Sequence, residues 1–126
     1  MSHTKIAILI SGRGSNMQAF IDAIERADLV AKIAIVVSNK PQAQGLVTAQ
    51  RQGINTRCID HREYPDRETF DQALCDCLNV HEVDLVILAG FMRILTPVFI
   101  DTFEGRLLNI HPSLLPQYPG LNTHQR

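Results

Sequence analysis

Cysteine is scarce in this chain: Cys58, Cys75 and Cys77 are the only three in 126 residues, an odd set that makes no disulfide framework. Cys75 and Cys77 stand two apart on an expected helix, so their side chains diverge and suit neither a bridge nor a shared metal. Free thiols in a reducing cytoplasm are the reading that remains, and the expected location is cytoplasmic. No segment concentrates Lys or Arg, and the net charge is only −1 at a pI near 6.5. A nucleic-acid partner is therefore not expected, because a phosphate backbone is held through a basic footprint. No apolar run approaches the roughly 20 residues that cross a bilayer, so no membrane partner is expected either. The start, Met1 to Lys5, is too short and polar to lead a secretory signal. No His, Cys and Asp cluster has metal-ligand spacing, and no serine stands in a Gly-x-Ser-x-Gly elbow.

What is present is an ordinary globular composition, 45% hydrophobic and 20% charged, at a length that suits one domain over residues 1–126. Lys5–Ile10 is a short continuous apolar run, as a strand covered on both faces requires. Ser11–Asn16 is a polar, glycine-bearing turn. Met17–Ala27 then places Met17, Phe20, Ile21 and Ile24 at helical spacing. Lys32–Val37 is a second buried strand. A helix over Ala43–Gln52 ends at Gly53, and Asn55–Ile59 reads as a third strand. Asp66 is a candidate N-cap for a helix that runs to about Val80. Asp84–Ala89 is the most apolar strand and stops at Gly90. Pro97–Thr102 is a short helix with proline in its first turn, and Arg106–His111 is a fifth strand before a proline-rich loop.

Strand and helix in alternation imply parallel strands joined by right-handed crossovers. The expected fold class is α/β: a Rossmann-like α/β/α sandwich with a parallel sheet ordered 3-2-1-4-5. In open sheets of this kind ligands sit beyond the carboxyl ends of the strands, near the order reversal. That assembles a site from Ser11–Asn16, Gly90–Leu95 and Asn109–Pro112.

The turn Gly12-Arg13-Gly14-Ser15-Asn16 lies where a strand hands over to a helix. Glycines allow close backbone approach there, and free N–H groups at a helix start favour a phosphate. The alternative is a tight turn in which Ser15 or Asn16 caps the helix. The third glycine of the dinucleotide fingerprint is missing, since Met17 stands in its place. Ser38 and Asn39 occupy the end of the second strand where an acid would hold a ribose, so no nicotinamide cofactor is expected. Asn109 and His111 are two apart on a strand and project to one face, while Ile110 packs the other way. A histidine moves a proton near neutral pH and an asparagine amide donates to a developing oxyanion. A hydrogen-bonded structural pair is the competing reading. His3, His61 and His81 fall in terminal, loop or helix-end settings with surface roles. Arg67, at a helix start, is either a solvated side chain or an anion contact.

Three segments, Ile10–Ala19, Leu88–Leu95 and Leu108–Pro116, resemble the phosphoribosylglycinamide formyltransferases within the folate-dependent formyltransferase group, a likeness that runs from about Lys5 to Arg126. The third segment is shared across the wider group, including methionyl-tRNA formyltransferase and formyltetrahydrofolate deformylase. The first singles out the glycinamide ribonucleotide enzymes. The resemblance implies direct transfer of a formyl group from 10-formyltetrahydrofolate, as co-substrate, to the amine of glycinamide ribonucleotide in de novo purine (IMP) biosynthesis, with no metal. It implies that Gly14, Ser15 and Asn16 bind the ribonucleotide phosphate. Met92, Arg93, Ile94 and Leu95 would line the folate pocket, mostly through backbone bonds to the pterin, with Arg67 also on the folate. Asn109 would contact the transferred formyl group, and His111 would serve as proton donor and oxyanion partner. A cis peptide is implied in the proline-rich loop, with Leu115–Pro116 the candidate.

Two departures from the family pattern stand out. Asn122 replaces a usual histidine, and the family's catalytic aspartate falls beyond Arg126, as do further strands. The expectation is a catalytic domain without its carboxyl-terminal part, whose open sheet flank favours aggregation or a homodimer. The competing functional readings are another folate formyltransferase or deformylase, and a phosphate- or folate-binding fragment without catalysis. A tRNA formyltransferase would need a basic second domain.

Overall fold

A computed structural model describes residues 4–27 and 30–110 of the chain. Its elements in order are β1 (Thr4–Ile10), α1 (Ser15–Ala27), β2 (Ala31–Ser38), α2 (Gln44–Arg51), β3 (Thr56–Cys58), α3 (Arg67–Val80), β4 (Leu85–Leu88), α4 (Pro97–Thr102) and β5 (Leu107–Asn109), with one 3-10 turn at His61–Glu63. The strands form one sheet ordered β3-β2-β1-β4-β5, and every pair is parallel. The α/β sandwich and its order are as the alternation predicts.

The strand period of two explains the layers. Along β1, Ile6, Ile8 and Ile10 join one apolar cluster with Met17, Phe20 and Ile21 of α1 and Ala49 of α2. Ala7 and Leu9 point the other way, into a second cluster with Phe70, Leu74 and Leu78 of α3 and Phe99 of α4. Each large side chain so buried contributes about 1.5–3 kcal/mol, so the strands that bury most anchor the sheet. These are β1 and β2, each with five buried residues at its carboxyl end. β3 and β5 bury none of their three residues. Both are edge strands of this sheet, paired on one side only, and both are shorter than the sequence pattern suggests.

Helix ends follow local chemistry. Asp66 caps α3 as expected, its carboxylate accepting from the Thr69 amide at 2.8 Å. At the end of α2 the amides of Gly53 and Ile54 donate to the carbonyls of Gln50 and Ala49, closing the helix one turn beyond Thr48. Helix α1 begins at Ser15, two residues before the apolar periodicity starts. The parallel register aligns Leu9, Leu88 and Asn109 across the sheet. The turn after β1, the loop after β4 and the end of β5 therefore leave from the same rim, at the point where the strand order reverses.

Candidate functional site

Gly14 organises the turn after β1. Its φ is +83°, and a Cβ there would stand 2.8 Å from the Gly45 Cα, a backbone contact with no room to give. Gly45 in turn donates its amide to the Gly12 carbonyl at 3.0 Å, pressing the start of α2 onto the turn. The Gln18 amide donates to the Gly14 carbonyl at 2.9 Å, which is the first helical bond of α1. Gly14 thus takes the cap position, and Ser15 and Asn16 are first-turn residues rather than caps. Amides at the first positions of a helix have no partner within it, and the dipole makes that end positive. No acidic residue occupies the first turn. Ser15 is exposed, while the half-buried Asn16 sends its side-chain nitrogen across to the β4 loop, 3.6 Å from where a Gly90 Cβ would be.

The β4 loop is fixed from two sides. The buried Ser11 hydroxyl accepts from the Met92 amide at 2.8 Å and donates to Asn39 Oδ1 at 2.5 Å. One side chain therefore ties together the ends of β1, β2 and β4. On the opposite face, buried Asp71 of α3 accepts from both the amide and the hydroxyl of Thr96, each at 2.6 Å. The Arg93 guanidinium lies over the Phe70 ring at 5.3 Å, one residue before Asp71. Between these anchors Met92 and Ile94 are 75% and 72% exposed, while Phe91 and Leu95 pack on the α3 side. An apolar strip beside a pinned backbone suits a flat heterocycle that needs both stacking area and amide partners.

Asn109 ends β5 at the same rim and is exposed, and Ile110 is buried in the α1/α2 cluster, so the two part as strand alternation requires. Arg67 is exposed in the first turn of α3, the turn before Phe70 and Asp71 grip the β4 loop. His111, the candidate cis bond Leu115–Pro116 and Asn122 lie outside the described residues. Among the described residues no group of three or more His, Cys, Asp or Glu side chains could hold a metal. No helix there is long and apolar enough to cross a membrane. Burial pushes the Cys58, Cys75 and Cys77 thiols up, so all three favour the protonated, unreactive form.

Ser11, Asn39, Asp71 and Thr96 escape a reading by motif. A signal for Asp71 exists: with Leu74, Cys75 and Leu78 it stands at i, i+3, i+4 and i+7, an acid on the buried stripe of α3. Such an acid needs a partner, and Thr96 supplies two donors.

A family model described as formyl transferase matches residues 4–126. The chain belongs to the formyl transferase family. It is 51% identical over 122 residues to phosphoribosylglycinamide formyltransferase of Haemophilus influenzae, covering 97% of this chain and 58% of that protein. It is 48% identical to the Escherichia coli protein of the same name, covering 96% of this chain and 57% of the relative. The structure superposes on glycinamide ribonucleotide transformylase 1 of Symbiobacterium toebii with a TM-score of 0.82 and 43% identity, over 94% of this chain and 56% of that one. The chain thus spans a little over half the length of these relatives. The family resemblance seen in the three segments holds, and so does the expected parallel-sheet fold.

Proposed function

We propose that the chain is the part of a phosphoribosylglycinamide formyltransferase that binds both substrates, and that its reaction moves a formyl group from 10-formyltetrahydrofolate to the amine of glycinamide ribonucleotide in purine synthesis. The observation that supports it most is the meeting of Asn16 with the Gly90 loop, on the rim where Asn109 ends β5. A phosphate on the amides of the cap residue Gly14 and of first-turn Ser15 and Asn16 would leave the rest of a ribonucleotide reaching towards that loop. The pterin of the folate would lie along Met92, Arg93, Ile94 and Leu95, with Arg67 on its outer part.

In this reading the amine nitrogen attacks the formyl carbon, and the Asn109 amide donates to the oxygen as it gains charge. His111 also meets the oxyanion and delivers a proton to N10 of the folate as its bond to the formyl carbon breaks. The proton that the amine loses replaces the one His111 gives to N10, so atoms and charge balance. Proximity supplies much of the rate, because both reactants are held by rigid elements of one sheet.

Two variants of the intact protein test the assignment. His111→Ala should lower turnover by about 10²–10⁴-fold while folate binding persists. Turnover near that of the parent would make the histidine structural. Asn16→Ala should raise KM for the ribonucleotide more than KM for the folate; equal effects on both would remove the phosphate from this turn.

A further inference from the structure

A second hollow opens on the other side of the glycine turn. It has a volume of about 430 Å³ and lies between the β1 turn (Ser11–Arg13), the segment from Asn39 to Gln44, and His61–Arg62. No lining residue comes from β4, β5 or their loops, whereas Asn16 faces Gly90. Gly14, packed on Gly45, stands between the two sides. This hollow is therefore separate from the cleft assigned to the two substrates.

Its chemistry is one-sided. Arg13, Lys40 and Arg62 all line it, and no Asp or Glu does. Arg62 is partly offset by Asp60 at 2.7 Å, whose carboxyl it holds at about 2. Among the described residues Arg13 and Lys40 have no ion-pair partner. The back wall is fixed: Asn39 is buried, accepts from Ser11, and has its amide 3.3 Å from His61 Nδ1. The Ser38 hydroxyl also holds the Lys40 amide at 2.9 Å, so the base of the Lys40 side chain is set. Concave sites of roughly 300–1,000 Å³ commonly take small molecules, and convergent cations with neutral donors favour a phosphate over a carboxylate because it offers more charge and more acceptors.

We propose that this hollow is an accessory binding site for a phosphate group, held by Lys40 and Arg13 with Arg62 at the mouth. The volume leaves room for a small sugar attached to the phosphate. The site does not depend on the transferase reading, because its lining, charge and position stand whatever reaction occurs in the other cleft.

Calorimetric titration of the intact protein with inorganic phosphate, and separately with ribose 5-phosphate, tests this directly. Two variants distinguish the hollow from the α1 turn: Lys40→Glu, which reverses a lining charge, and Gln44→Glu. The second places an acid in the first turn of α2, where the dipole favours it, so the fold is kept while an anion is repelled. The parent should bind at least one of the two ligands in the hollow, and both variants should weaken that event by about tenfold or more. KM for the ribonucleotide should stay within about twofold in both variants, a change worth under 0.5 kcal/mol. Tighter binding of ribose 5-phosphate assigns a phosphate ester, and tighter binding of inorganic phosphate assigns the free ion. No binding by the parent, or binding that both variants leave unchanged, would overturn the proposal. A failed transferase assay with intact phosphate titrations would sink only the catalytic reading.

Discussion

Single atoms decide the geometry of the turn. Gly14→Ala would force a side chain into a left-handed backbone at a cost of about 1–2 kcal/mol, before its contact with the Gly45 Cα is counted. Gly14→Ala should therefore lower the urea midpoint and raise KM for the ribonucleotide, because the amides of Ser15 and Asn16 move with the turn. A variant with the parent's midpoint and KM would show that the turn tolerates displacement. Ser11→Ala removes an acceptor from the Met92 amide and a donor from buried Asn39. Leaving such groups unpaired costs about 1–3 kcal/mol, read as a loss of stability with a raised KM for the folate. Stability and folate KM both unchanged would mean that Ser11 does not hold the loop. The glycine turn was legible in the sequence because glycine pattern and polarity mark it. Ser11 as a tie between three strand ends was not, since its partner Met92 is 81 positions away and no local pattern connects them.

At the scale of elements, α3 links the sheet to the β4 loop. Its start depends on Asp66, whose carboxyl is held below its ordinary value of 3.8 by hydrogen bonds from the Thr69 hydroxyl and amide. A depressed carboxyl keeps its charge in the folded state at pH values where the unfolded chain is already protonated. Its contribution is complete above about pH 4 and fades as pH falls through the lower, folded value. Asp66→Ala should accordingly lower the urea midpoint at pH 7, and the gap from the parent should narrow at about pH 3. A gap independent of pH would place the loss elsewhere than in the cap. The cap was readable from Asp66 before an apolar helix, and so was the whole span of α4. The lengths of β3 and β5 were not, because the residues flanking β3 still bond to β2, Asn55 through its carbonyl and Ile59 through its amide, and no residue type marks where the strand stops. The start of α1 was missed for a related reason: Ser15 and Asn16 are polar, so periodicity alone places the helix at Met17.

For the whole molecule, the alternation of runs sufficed to predict a parallel sheet ordered 3-2-1-4-5, because handed crossovers leave few other arrangements. Topology then brings the turn after β1 and the end of β5 to one rim although about a hundred residues separate them along the chain. Less legible was the asymmetry of that rim, with a basic hollow on the β2–β3 side and an apolar strip on the β4 side. Lys40, Arg62 and Arg13 are scattered in sequence and gather only when three loops fold together. The same rim leads to the measurement that bears most directly on the proposed reaction: a crystal structure of the intact protein with glycinamide ribonucleotide and an unreactive folate analogue bound together. Phosphate should lie on the amides of Gly14, Ser15 and Asn16, the pterin along Met92–Leu95, and the amine beside Asn109 and His111. A phosphate bound away from the α1 turn, or His111 opening onto the opposite rim of the sheet, would contradict it.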